Sequence, residues 1–461
     1  MEILKAFLGT LPETVAIKLA KAVEVDRLGG GASLPHDLIL DGLRPQLQHA
    51  HAERTPTPLR LFCVPFSDLL TSSPGKEKQK GVIARSTIQP LWRWLQQLVP
   101  DAFADFERNV RESVLTYRQS AMMEHCEIFW RAAAKAIRET LASDSGRKEA
   151  RLALGGDSAL ADALEIATMI SAGPQIVALQ ELLPTPAPTP NEEHLAAIRV
   201  ICDQLSEAAE DAKPYVGVVA MRRMERPWEA LRIPLILARQ TQDTLISSTD
   251  MGLAGEILFS EIEARATAIC ASRPQAPFDP EALIGHLKFF ARASNGIVKE
   301  IEMRRDGKWG QRLMKQRGAV GDAMDALMER APRDILAAIA SQKSGSYGGG
   351  PRVPDISRAP DVEKVARALA FARLIAGCRN IASAASFGAK LKDADEEISS
   401  ALKSYNEGIV RELRTQEGER REIAELCFNV AAELTTILFS EEEGELLRRR
   451  GRAAIGVETA A

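Results

Sequence analysis

The sequence is poor in aromatic side chains, which make up 5% of it, while Ala, Leu, Arg and Glu abound. That shortage counts against a β-rich fold, which leans on aromatic and β-branched residues. The abundant residues lose little freedom in a helix, so the composition favours helices. The six cysteines, Cys63, Cys126, Cys202, Cys270, Cys378 and Cys427, stand singly, and no C-x-x-C pair occurs. Their scatter fits small apolar thiols in a reducing compartment. No apolar run approaches the roughly 18 residues of a membrane span. The opening MEILKAFLGTLPETVAIKLAK lacks the basic start and cleavage site of a signal peptide, which makes the cytoplasm the expected location. An excess of charge is missing as well. The formal net charge is −4, so binding to nucleic acid or to a membrane surface would need a local patch.

What is present is helical periodicity over a chain of 461 residues, long enough for several domains. RLFCVPFSDLL at 60–70 is the best strand candidate, although Pro65 makes a short helix or a buried extended segment equally apt. SSPGKEKQKG at 72–81 reads as a solvated loop, and the pattern from Ile88 to Leu141 is helical again. PTPAPTP at 184–190 reads as an extended linker. Asp279-Pro280 has the chemistry of a helix start. KSGSYGGGPRVP at 343–354 reads as a second linker, reaching residue 360. Beyond it, Leu391, Ile398 and Tyr405 recur every seven residues, with Leu402 and Ile409 beside them, as in a coiled-coil seam. Gly418 marks a turn, and Ser440 can cap a final helix. No internal repeat is visible, although short helices at irregular spacing can hide a degenerate solenoid.

The expected fold is all-α and multi-domain. It comprises an N-terminal helical domain (1–183), a middle helical domain (191–342), a flexible linker (343–360), a C-terminal antiparallel helical hairpin of coiled-coil character (361–450) and a tail (451–461).

Local catalytic signatures fail one after another. The residues three before the histidines are Ser33, Gln46, Gln48, Met122, Asn191 and Leu283, so neither H-E-x-x-H nor E-x-x-H occurs. His125 and Cys126 are sequence neighbours, which on a helix point apart and cannot form a nucleophile–base pair. Lys343 precedes the glycines of its loop, and Pro351 and Pro354 remove backbone donors, so the loop is no phosphate cradle. No cofactor or metal is expected from these patterns.

The main local charge signal is MRRDGKWGQRLMKQRG at 303–318. Arg304, Arg305, Lys308, Arg312, Lys315 and Arg317 face one acid, Asp306, with Trp309 among them. Basic residues around an aromatic can grip phosphates and stack on a base. The plainer reading is a helix face that pairs with acids elsewhere, with Trp309 turned inward. A weaker cluster sets Arg222, Arg223, Arg226 and Arg232 beside Trp228. The favoured function is a non-enzymatic interaction protein, an adaptor or regulatory scaffold, that meets a partner or itself through helices. Its candidate partner seam is Leu391, Ile398, Leu402, Tyr405 and Ile409. One alternative is nucleic-acid or anion binding at Arg304, Arg305, Lys308, Trp309, Arg312 and Lys315. Another is an enzyme whose site is assembled from distant residues.

Overall fold

A computed structural model describes residues 7–8, 11–12, 15–16, 18–20, 22–23, 35–36, 38–40, 42–43, 56–75, 77–115, 119–238, 252–343 and 352–456. The fold is all-α. In chain order the helices are α1 Pro58–Cys63, α2 Ile88–Leu98, α3 Pro100–Leu115, α4 Gln119–Ala142, α5 Asp144–Leu154, α6 Asp157–Ser171, α7 Gly173–Leu182, α8 Glu192–Ala208 and α9 Tyr215–Arg223. There follow α10 Arg232–Ala238, α11 Leu253–Ala271, α12 Pro280–Glu300, α13 Lys308–Ala338, α14 Val362–Cys378, α15 Gly388–Thr415, α16 Glu419–Leu438 and α17 Glu441–Gly456. Two minimal strand pairs interrupt them: β1 Leu70–Thr71 with β2 Ile83–Ala84, parallel, and β3 Ser341–Lys343 with β4 Arg352–Pro354, antiparallel.

Helix starts follow the chemistry of their caps. Asp279 accepts from the backbone N–H groups of Glu281 (3.0 Å) and Ala282 (3.2 Å), with Pro280 at the first helical position of α12. Asn191 accepts from the His194 N–H (2.8 Å) while His194 Nδ1 accepts from the Asn191 N–H (3.3 Å), a reciprocal cap for α8. Ser440 caps α17, and Gly418 makes the turn before α16 with a positive φ of 57°. RLFCVPFSDLL takes the short-helix alternative: it forms the end of α1 and a 3-10 turn over Val64–Leu69, and only Leu70 enters a strand, β1.

The chain divides into two compact units, residues 1–63 with 100–129, and 64–99 with 130–461. In the first unit Phe129 stacks on Phe106 (4.4 Å between centroids) and meets Phe62 and Phe103 edge-on. A second small core there gathers Leu8, Ala16, Ala20 and Leu43.

In the second unit, helices pair along the chain: α7 with α8, α9 with a 3-10 turn at Pro227–Leu231, α11 with α12, α13 with α14, and α15 with α16. The pairs then stack in two rows. In the first row α7 packs on α9, α9 on α11, α11 on α13, α13 on α15 and α15 on α17. In the second, α8 packs on α10, the 3-10 turn on α12, α12 on α14 and α14 on α16. Each pair meets mainly its neighbours, which is the logic of a helical solenoid. The repeat is invisible in the sequence because first-row helices range from 9 residues in α9 to 31 in α13, so no fixed period survives.

Both expected linkers are anchored where they are described. Ala187 is buried and its N–H donates to the Arg223 carbonyl (2.7 Å), while its own carbonyl accepts from the Glu225 N–H (3.1 Å). Ser341–Lys343 pairs with Arg352–Pro354, Pro354 packs on Gly408 of α15, and Ile356 is buried. The loop tip at 344–351 lies outside the described residues. The segment expected as a separate hairpin is continuous with the middle helices, since α13 packs on both α14 and α15.

Candidate functional site

The 303–318 segment forms the end of one turn and the start of α13, and α11 supplies acids to meet it. Lys308 Nζ lies 2.9 Å from Glu256 Oε1, and Arg312 reaches Glu256 Oε2 (2.7 Å) and both oxygens of Glu263 (2.8 and 3.0 Å). Trp309 is fully buried, and its indole N–H donates to Glu256 Oε1 (2.8 Å). Arg304 pairs with Asp306, and Arg317 donates to Asn295 Oδ1 (2.7 Å). Arg305 and Lys315 are exposed. The six candidate anion-binding residues are therefore not one open basic surface. Lys308, Trp309 and Arg312 join two successive helices of the first row. Burial pushes the Glu256 carboxyl up, but hydrogen bonds from Trp309, Lys308 and Arg312 outweigh it and hold the group below the usual carboxylate range.

The same device recurs at other steps of the stack. Arg222 of α9 meets Glu261 of α11 (2.5 Å), and Lys390 of α15 meets Glu329 of α13 (2.7 Å). In the second row Arg232 binds Glu300 of α12 through two hydrogen bonds. Asp334 of α13 accepts from Arg330 (2.9 Å) and from Arg367 of α14 (2.9 Å). Basic residues that look like a patch in sequence are thus spent largely on neighbouring helices.

The five candidate seam residues, Leu391, Ile398, Leu402, Tyr405 and Ile409, are all buried inside the chain. α15 packs on α13, α16 and α17, so the heptad face is core of the stack and is not open to a second chain. Asn406 beside the seam is also buried, donating to Thr435 Oγ1 of α16 (2.9 Å).

The catalytic candidates are dispersed. Cys126 is buried, and burial pushes its thiol up to about 12. Cys202 and Cys378 are likewise buried and raised, to about 11 and about 12. Such thiols stay protonated and are not nucleophiles. Among the described residues no group of His, Cys, Asp and Glu is arranged to hold a metal ion, and no helix is long and apolar enough to cross a membrane. A recess of about 230 Å³ lies between the end of α13, residues 355–361 and α16, lined in part by Asp355, Arg358, Asp361, Lys364 and Cys427. Asp355 already accepts from Ser357 and Asp361 already caps α14.

Sequence reading misses one cluster and the setting of another. The first is a buried carboxylate pair on α6. Lys78 Nζ lies 2.7 Å from Asp162 Oδ1 and 2.8 Å from Glu165 Oε2, and the N–H groups of Gly81 and Ala84 and the Thr87 hydroxyl supply further donors. This pins the 77–87 segment that composition marks as solvated. Nothing local in the sequence links Lys78 to residues some 85 positions away. The other is the setting of Trp228, whose indole lies against Gly296 of α12. Of its neighbours in sequence, Arg223 is committed to Asp68 (3.1 Å) and to the Leu183 and Gln180 carbonyls, while Arg226 lies 3.4 Å from Glu229. No protein-family model, curated protein or solved structure matches the chain.

Proposed function

We propose that this protein is an interaction scaffold, an adaptor or regulatory platform without catalysis of its own, that meets a protein partner through the outward faces of its helices. The observation that carries this reading is the two-row stack of helix pairs in residues 173–456. Such a stack buries one side of each helix against its neighbours and leaves a row of outward faces available to an extended partner. The second row offers Glu422, Leu426, Asn429 and Glu433 on α16, spaced as one helical stripe and all exposed. Solenoid architecture lends itself to binding extended partners along its outward faces. The heptad residues are not the contact in this reading, because they are core.

The test is co-purification at native expression level, followed by cross-linking and identification of the cross-linked residues. A stoichiometric companion protein cross-linked to the outward faces of α12, α14 or α16 supports the reading. A lone monomer by light scattering, with no cross-linked companion under conditions that preserve known complexes, removes it.

A further inference from the structure

We infer that the surface around Trp228 and α12 is a binding site for single-stranded nucleic acid. It goes beyond the scaffold reading and does not depend on it. On α12, Lys288, Arg292 and Lys299 fall at spacings of four and seven, which places them within one narrow stripe. All three are exposed, and none has an ion-pair or hydrogen-bond partner among the described residues. They span about 16 Å along the helix axis, at 1.5 Å per residue. Gly296 sits on the same side of the helix, four residues after Arg292 and three before Lys299, and it carries no side chain to hold an approaching ring away. The indole of Trp228 lies against it, with the Nε1 end and the five-membered ring closest.

Trp228 is only partly buried, and its indole N–H has no partner among the described residues. The packing of the 3-10 turn on α12 thereby sets an aromatic ring against the helix between the positions of Arg292 and Lys299, neither of which has a partner among the described residues. Arg226, which is well exposed, lies two residues before the ring and pairs with Glu229 (3.4 Å). Two of the acids nearby are already taken, while Glu225 and Glu302 are exposed. Glu229 is buried and lies within reach of Arg226, and Glu300 is bound by Arg232. The α12 cations have no ion-pair partner among the described residues.

The chemistry expected of this arrangement is phosphate contact by Arg292, Lys299 and Lys288 with a base against the indole, as on other stacking platforms for single strands. It is the combination sought at Trp309, where the ring is buried and three of the cations are paired with acids. A duplex offers no free base face to the ring, and an acidic peptide offers charge without a stacking partner, so a single strand is the occupant that uses both the α12 cations and the ring.

The experiment is fluorescence anisotropy of the full chain with a labelled 20-nucleotide oligothymidylate, alongside a polyglutamate peptide and a duplex of equal length. Binding of the oligonucleotide is expected, weakening roughly 20-fold from about 50 to about 200 mM salt if three phosphates are neutralised. Arg292→Glu with Lys299→Glu, both at exposed positions, should weaken it at least tenfold with an unchanged circular dichroism spectrum. Trp228→Phe keeps a ring over Gly296 and should weaken binding less than the charge reversal does, with little change in the salt slope. No binding at about 50 mM salt, or equal binding by the charge-reversed variant, overturns the proposal. So does equal or tighter binding of polyglutamate or of duplex through the same residues, since the surface would then read charge alone.

Discussion

The indole of Trp309 lies against Gly255, so close that a methyl group there would overlap the ring. The neighbouring Glu256 accepts the indole N–H, so one turn of α11 supplies both the floor and the hydrogen bond for a fully buried side chain of α13. Trp130 is set in the same way on Gly173, and Trp228 on Gly296. The first prediction follows. Gly255→Ala gains about 1 kcal/mol of helix propensity but must displace a buried ring, which overpacking makes the larger effect, so a net loss of about 1–2 kcal/mol is expected. Urea unfolding followed by tryptophan fluorescence measures it, and a stability equal to or above wild type would show that the ring can move.

Lys78 is the one cation in contact with the buried Asp162 and Glu165 among the described interactions. Removing it leaves two carboxylates with backbone N–H and hydroxyl donors but no opposite charge. Loss of one partner of a buried pair is severe. Lys78→Met should cost about 3 kcal/mol, the lower end of the usual range, because the lysine keeps some exposure to water. Asp162→Asn in the Lys78→Met background should cost less than the sum of the two single changes, as a double-mutant cycle would register. Trypsin should also cut sooner at Lys80 in Lys78→Met than in wild type. Additive losses and unchanged cleavage would mean that the cluster does not hold the segment.

How much of this was legible in the sequence depends on the range of the interaction. Caps are local, so Asp279-Pro280 and Ser440 announce their helices directly, as Gly418 announces its turn. The heptad at Leu391, Ile398 and Tyr405 correctly marks an apolar helix face. Periodicity shows that a face is buried but not what covers it, and here the cover is the chain's own α13, α16 and α17. The run at 303–318 shows the same limit for charge. Its counter-ions Glu256 and Glu263 lie some 50 residues earlier, where no sequence window holds both. Proline and glycine content correctly flags breaks between helices, but Ala187 and Pro354 show that a break can still be tied down by backbone hydrogen bonds and packing.

The pairs between stacked helices carry a pH signature. Glu256 is held below the usual carboxylate range against the opposing push of burial, and so is Asp334 by Arg330 and Arg367. A carboxyl with a lowered folded pKa contributes stability above its unfolded value, near pH 4, and that contribution disappears as pH falls through the lower folded value. The stability difference between wild type and Glu256→Gln should therefore be largest near neutrality and shrink as the pH drops from about 6 to about 3. Urea midpoints at several pH values test this. A gap that stays constant or widens on acidification would mean that the charge of Glu256 does not contribute.

The burial of the heptad face turns a test of association into a test of stability. Leu402 has no exposed surface and lies on α15, which contacts four other helices. Leu402→Ala removes buried methyl groups and leaves a cavity, at a cost of about 2–5 kcal/mol. Its effect on mass should be nil, since the side chain is not offered to another chain. Light scattering at matched concentration, beside a thermal melt, separates the two outcomes. A lower melting temperature with unchanged mass is expected. A dimer in wild type that becomes a monomer of undiminished stability in Leu402→Ala would place this face between chains and reverse the assignment of the seam to the core.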